Sequence, residues 1–157
     1  MISSLEIYKK QRMYSWNKEG WFVPLSLSLE GLGATDAAWK PPQGGNTIWQ
    51  MVNHMNYWNE RILLGLNGKS YVSNLPNEDT FGDPGHAEDT SGWSDTLKRT
   101  HRIANEIEKM LDELTEEELQ VLPVYKDLSE WMMHDAYHTG QIVLLRKLQG
   151  SWPMKRG

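Results

Sequence analysis

The sequence predicts an all-α fold, a four-helix bundle, and three observations carry that prediction. Apolar residues recur at helical spacing in four long segments. No stretch alternates apolar and polar residues as a half-buried strand would, and one long irregular segment, residues 69–91, provides a crossover between the second and third helices. With 157 residues the chain has the size of a single domain, expected to span residues 1–157 with a core that needs no disulfides.

The first helix is expected over residues 3–19, where Leu5, Tyr8, Arg12, Met13 and Trp16 keep an approximate helical period. Gly20 loosens it. Pro24 suits the first turn of a second segment, so residues 21–32 read as a bent continuation stopped by Gly31 and Gly33. After a Pro- and Gly-rich linker over residues 39–45, Asn46 or Thr47 can cap a second helix that ends at Leu66, before Asn67 and Gly68. Its apolar stripe is Ile48, Met51, Met55, Trp58 and Ile62. Residues 69–91, with Pro76, Gly82, Pro84, Gly85 and several acids, form either a lid over a pocket or a surface connection. The third helix, residues 93–114, turns Leu97, Ala104, Ile107, Leu111 and Leu114 inward and Lys98, Arg102, Glu106 and Lys109 outward. Thr115 with Glu116, Glu117 and Glu118 forms a capped turn and Pro123 breaks the chain. Asp127 with Glu130 then has the spacing of a capping box opening a last helix to Leu148, stopped by Gly150 and Pro153.

Composition removes several classes of function. Without cysteine there can be no thiolate metal site and no disulfide framework, so a metal must be held by His and carboxylates. A net charge of −5, with acids concentrated over residues 78–89 and 106–118, argues against nucleic acid as a partner. Arg146 and Lys147, together with Lys155 and Arg156, are expected to complement the dipole at the last helix's C-terminus. Neither a signal sequence nor an apolar run of membrane-spanning length is found, so a cytoplasmic protein with no membrane partner is expected.

The chemistry concentrates in the histidines. His134 and His138 lie four residues apart, on a stripe with Trp131, Gln141, Leu145 and Leu148. Imidazoles at this spacing can chelate one transition metal, or sit in a core satisfied by hydrogen bonds. His54 lies about 60° from Met51 and about 40° from Trp58 on a helical wheel, at the edge of the buried face of its helix. Three neutral imidazoles would hold a divalent ion and leave positions open for a small-molecule substrate, as catalytic sites do. Gln141, one turn beyond His138, could orient an imidazole or a bound water. His86, in the acidic loop, is expected in solvent; His101, at the margin of the third helix, is either a fourth ligand or a surface residue, with surface preferred. Asp135 follows the first histidine where metalloproteases carry Glu, but its carboxylate is one methylene shorter and no third ligand lies downstream, so a protease is not expected. Asp135 falls off the stripe and reads as solvated.

The segment Asn46-Thr47-Ile48-Trp49-Gln50-Met51-Val52-Asn53-His54, followed by His134-Asp135-Ala136-Tyr137-His138-Thr139-Gly140-Gln141-Ile142, resembles the DinB/YfiT-like superfamily of metal-dependent proteins. The resemblance extends over nearly the whole chain, including Trp39-Lys40-Pro41. It implies a bundle of up-down-down-up order, one divalent metal (zinc or nickel) on His54, His134 and His138, and a homodimer. It further implies, by analogy with some relatives, a low-molecular-weight thiol cosubstrate such as bacillithiol, mycothiol or glutathione. A thiol S-transferase for detoxification or stress response is therefore the leading expectation, with an acceptor pocket near Trp58 and Trp131. A metal-dependent hydrolase is the enzymatic alternative, and a non-catalytic metal-binding or dimerising stress protein the alternative from another class.

Overall fold

The structure, a computed structural model, describes residues 1–156; Gly157 and the side chain of Arg156, part of the basic tail noted above, lie outside the described residues. Among the described residues the chain is all-helical, with seven α-helices, three short 3₁₀ helices and no strand.

Helix α1 spans Ser4–Trp16 and starts at a reciprocal capping box, in which the Ser3 hydroxyl accepts from the Glu6 N–H and the Glu6 carboxylate from the Ser3 N–H. It ends three residues earlier than the sequence periodicity suggests. The expected bent continuation is instead two short helices, α2 (Leu25–Leu29) and α3 (Ala34–Ala37). Trp21, assigned to that segment from the sequence, is fully exposed in the connection. Helix α4 spans Ile48–Leu66, and Thr47 supplies its cap through a box with Gln50. Gly68 follows with a φ of 71°, a left-handed geometry suited to glycine. Helix α5 spans Thr90–Glu113 and is capped by Asp89. The capped turn at Thr115 extends into a helix, α6 (Glu116–Val121). Helix α7 spans Leu128–Gln149 and stops at Gly150, whose φ is 80°.

One predicted cap does not form. Asp127 makes no capping bond to α7; its carboxylate accepts the Tyr71 hydroxyl at 2.7 Å instead. A 3₁₀ helix, Pro123–Asp127, leads straight into α7 and gives Asp127 a helical backbone, without the extended conformation usual for a cap.

The long helices pack through specific pairs. Trp49 and Trp93 meet near the starts of α4 and α5 with ring centroids 5.3 Å apart, and further along Glu60 holds Arg99 at 2.6 Å and Arg102 at 3.3 Å. Between α1 and α7, Tyr125 just before α7 donates to Ser4 at 3.0 Å and Arg12 pairs with Asp135 at 2.9 Å. Lys9 reaches Asp112 on α5 at 3.4 Å, and the Trp16 ring meets His101. The core falls into two apolar clusters. One gathers Leu25, Leu29, Met51, Met55 and Ile142; the other gathers Leu5, Leu66, Ile107, Leu119 and Trp131.

Helix α7 is covered by α1, α2 and α4, so its buried face is wider than the predicted stripe. Asp135, expected in solvent, is 1% exposed, and Leu148, expected inside, is exposed. Arg146 does not simply complement a helix dipole at the surface. It is buried, and donates to the carbonyls of Ser28 (2.8 Å), Glu30 (3.0 Å) and Ser151 (2.8 Å), tying α2 and the chain's end to α7.

Candidate functional site

Helices α4 and α7 bring His54, His134 and His138 together, with one ring nitrogen from each lying within 4.8 Å of the others. His54 is 2% exposed, deeper than its place at the edge of the stripe suggests. The cause is the connection after α4, which folds back over it. A 3₁₀ helix, Asn77–Phe81, lays the Phe81 ring flat on His54 at 3.9 Å and brings Thr80 to His54 Nδ1 at 2.6 Å. Residues 80–85 are fastened to α4: Thr47 donates to the Pro84 carbonyl at 2.9 Å, Gln50 to Gly82 at 3.1 Å, and Asn53 to Phe81 at 3.4 Å.

Side-chain partners determine which nitrogen of the His54 and His138 rings carries a proton. The Thr80 hydroxyl donates to the Asn77 carbonyl at 2.6 Å, so it accepts from His54 Nδ1–H and leaves the Nε2 lone pair free. Gln141 Oε1 lies 2.7 Å from His138 Nδ1 and, as an acceptor, holds the proton there and frees Nε2 of that ring also. His54 Nε2 stands 3.0 Å from His134 Nε2. Burial, then the neighbouring His138 and His134, hold the His54 imidazole down at about 3, so it is neutral at physiological pH. Burial first, and His134 second, lower His138 as well.

The donor set fits a divalent transition ion. It comprises three imidazoles, two with their outer nitrogens held by acceptors, which is the pattern that orients metal-ligating histidines. The third ring has an acceptor waiting. Asp135 Oδ1 is buried without a hydrogen-bond partner, 3.9 Å from His134 Nδ1. The tautomer that frees His134 Nε2 for an ion is the one whose Nδ1–H faces that oxygen.

His134 is the most open of the set, its side chain 29% exposed, and it lines a cavity of about 320 Å³. Trp58, Ile62 and Trp131 form apolar walls of this cavity, with Arg61, Asp127 and Glu130 adding charge. His86 and His101 are exposed and stand outside the cluster; His101 packs edge-on against Trp16. The sequence does not single out Thr80 and Phe81 for the site, and it reads Asp135, weighed at the metalloprotease position, as solvated where the structure buries it. Thr80 and Phe81 sit in a segment without periodicity, and nothing in the sequence signals their approach to His54.

A family model described as the DinB superfamily matches residues 25–142, a span that contains all three clustered histidines. Searches of curated proteins and of solved structures returned no match. With the model matched over well more than half of its length, the chain belongs to the DinB superfamily.

Proposed function

We propose that this chain is a divalent-metal-dependent enzyme, a low-molecular-weight-thiol S-transferase of the bacillithiol kind serving detoxification or stress response. The observation that carries the reading is the convergence of three imidazoles, two with fixed tautomers, at the edge of a cavity lined by the most open of them. His54, His134 and His138 would hold the ion, zinc or nickel being suited to imidazole donors. When bound, the ion supplies a Lewis acid that favours the thiolate form of a cosubstrate. Thr80 and Gln141 keep protons on the outer nitrogens of His54 and His138. Trp58, Ile62 and Trp131 exclude water and take up the apolar part of an acceptor. In the transfer, the thiol sulfur bonds to an electrophilic carbon, the leaving group departs with its electron pair, and the thiol proton passes to solvent.

The proposed scaffold is a four-helix bundle of α1, α4, α5 and α7 in up-down-down-up order. Paired starts of α4 and α5 at Trp49 and Trp93 support a shared direction for those two, as Ser4 with Tyr125 and Arg12 with Asp135 do for α1 and α7. Contacts from His54 to His138, and from Asn59 back to Trp131, support opposite directions for α4 and α7. A homodimer and a cytoplasmic location complete the proposal. Met133, Tyr137, Leu144 and Leu148 line an exposed apolar stripe on α7 that supports self-association. No helix among the described residues is long and apolar enough to cross a membrane.

Elemental analysis of untagged protein tests the site. The wild type is expected to carry about one equivalent of divalent metal, largely lost in His54→Ala and in His138→Ala, because removing one of three ligands weakens a site steeply. Full retention in both variants would overturn the three-histidine site. Bacillithiol with monochlorobimane tests the reaction. If neither it nor mycothiol nor glutathione shows metal-dependent acceleration, the transferase reading falls.

A further inference from the structure

We propose that the cavity beside His134 receives a small molecule with an apolar body and one carboxylate, and that Arg61 recognises the carboxylate. This names a substrate class for the site proposed above, and rests on that reading only for the ion that His134, with His54 and His138, would hold beside the cavity.

Arg61 lies on α4, one turn beyond Trp58, and is half-buried where it lines the cavity. Its Nη2 donates to Asn74 Oδ1 at 2.6 Å and to the Tyr57 hydroxyl at 3.2 Å, and its guanidinium carbon lies 4.9 Å from the Tyr57 ring centroid. Both hydrogen-bonding partners are neutral. Arg12, Arg99 and Arg102 each pair with a carboxylate, whereas no ion pair among the described residues includes Arg61. A half-buried guanidinium without a counter-ion, already held in one orientation, is preorganised for the two-pronged bond it makes with a carboxylate.

The acids lining the cavity limit what the rest of the ligand can be. Asp127 is engaged by the Tyr71 hydroxyl at 2.7 Å and by Lys126 at 3.4 Å, while Glu130 is exposed on the first turn of α7. Both repel a second anion, so the rest of the ligand is neutral or cationic. Trp58, Ile62 and Trp131, which line the same cavity, accept the apolar body.

Isothermal titration of the full chain with 3-phenylpropionate and its neutral counterpart 3-phenylpropanamide tests the inference, on protein as purified and after chelation. Wild-type protein is expected to bind the carboxylate about tenfold or more tighter than the amide in both states, as hydrogen bonds to charged groups require. Arg61→Gln should bring the two probes within about twofold of each other, and Arg61→Lys should keep part of the preference because the charge remains. Metal content and circular dichroism establish that the variants are intact. Equal affinities in the wild type, no binding of either probe, or a preference that survives Arg61→Gln would each overturn the proposal. So would a preference lost on chelation, which would assign the carboxylate to the ion. If the Arg61-dependent preference holds while metal analysis fails, the three-histidine site falls and this inference stands; if it holds while thiol transfer fails, only the transferase reading falls.

Discussion

Asp135 shows how much one side chain can carry while standing beside the chemistry. It is 1% exposed, pairs with Arg12, itself 2% exposed, at 2.9 Å, and accepts from Asn59 at 3.2 Å. Burial pulls the Arg12 guanidinium down from its ordinary value, and the charge of Asp135 pushes it back up. Removing that charge strands a cation in the core. Asp135→Asn is therefore expected to lower the free energy of unfolding by about 3–5 kcal/mol, read from urea denaturation. A loss below about 1 kcal/mol would mean that Arg12 finds other compensation. Helical periodicity gives no hint of this role: on the wheel Asp135 leaves the stripe of His134 and His138, and a carboxylate off the stripe is ordinarily solvated. Its burial comes from Arg12 and Asn59, which arrive from two other helices.

At the level of elements, the helix ends follow local chemistry. Thr47, one of the two caps the sequence offers, Thr115 and Gly150 all end their helices as expected, because a cap is made within a few residues, whereas the expected Asp127 cap is lost to Tyr71. One cap is made at long range. The Glu116 carboxylate, at the start of α6, accepts from the Leu5 N–H at 2.8 Å and the Ser4 N–H at 3.3 Å, and also from the Ser4 hydroxyl. Those bonds hold its carboxyl at about 2, below the ordinary 4.5. Because the folded value is the lower one, the contribution to stability is present above about pH 4.5 and is lost as pH falls toward about 2. Glu116→Gln should therefore unfold at lower urea than wild type at pH 7, with the gap between their midpoints closing between those two pH values. A gap that stays constant down to pH 2 would show that the charge of Glu116 is not what caps α1. The connection between α4 and α5 shows where local rules stop. Gly85, at a φ of 80°, lies so close to the Trp49 ring that a Cβ there would meet a ring carbon at 2.2 Å. That close approach, with the bonds from Thr47, Gln50 and Asn53, seats the segment that carries Thr80 and Phe81 over His54.

For the whole molecule, the exposed apolar stripe on α7 is the feature a solitary chain does not explain. Met133 is 64%, Tyr137 64%, Leu144 57% and Leu148 66% exposed, while the helix face that carries His138, Ile142 and Leu145 is inside. A second copy would cover the stripe by the same hydrophobic gain that builds the core. Sedimentation equilibrium is expected to report twice the chain mass for wild type and the single chain for Leu144→Glu/Leu148→Glu, two exposed positions of the stripe, with metal content unchanged. A wild type that sediments as a single chain at all accessible concentrations would remove the dimer. The sequence by itself determined the helical class, the long helices to within a few residues, and the set of His54, His134 and His138, because helical period and capping spacing are local and each of these histidines lies on or beside an apolar stripe. Gln141, on the same helix as His138, was legible from spacing as well, whereas only the tertiary structure decided that Thr80 holds the outer nitrogen of His54, that Asp135 is inside, and that Arg61 faces a cavity without a counter-ion. Those facts depend on which elements meet. A one-dimensional period records the face a helix buries, but carries no information about the side chains that come to it from elsewhere in the chain.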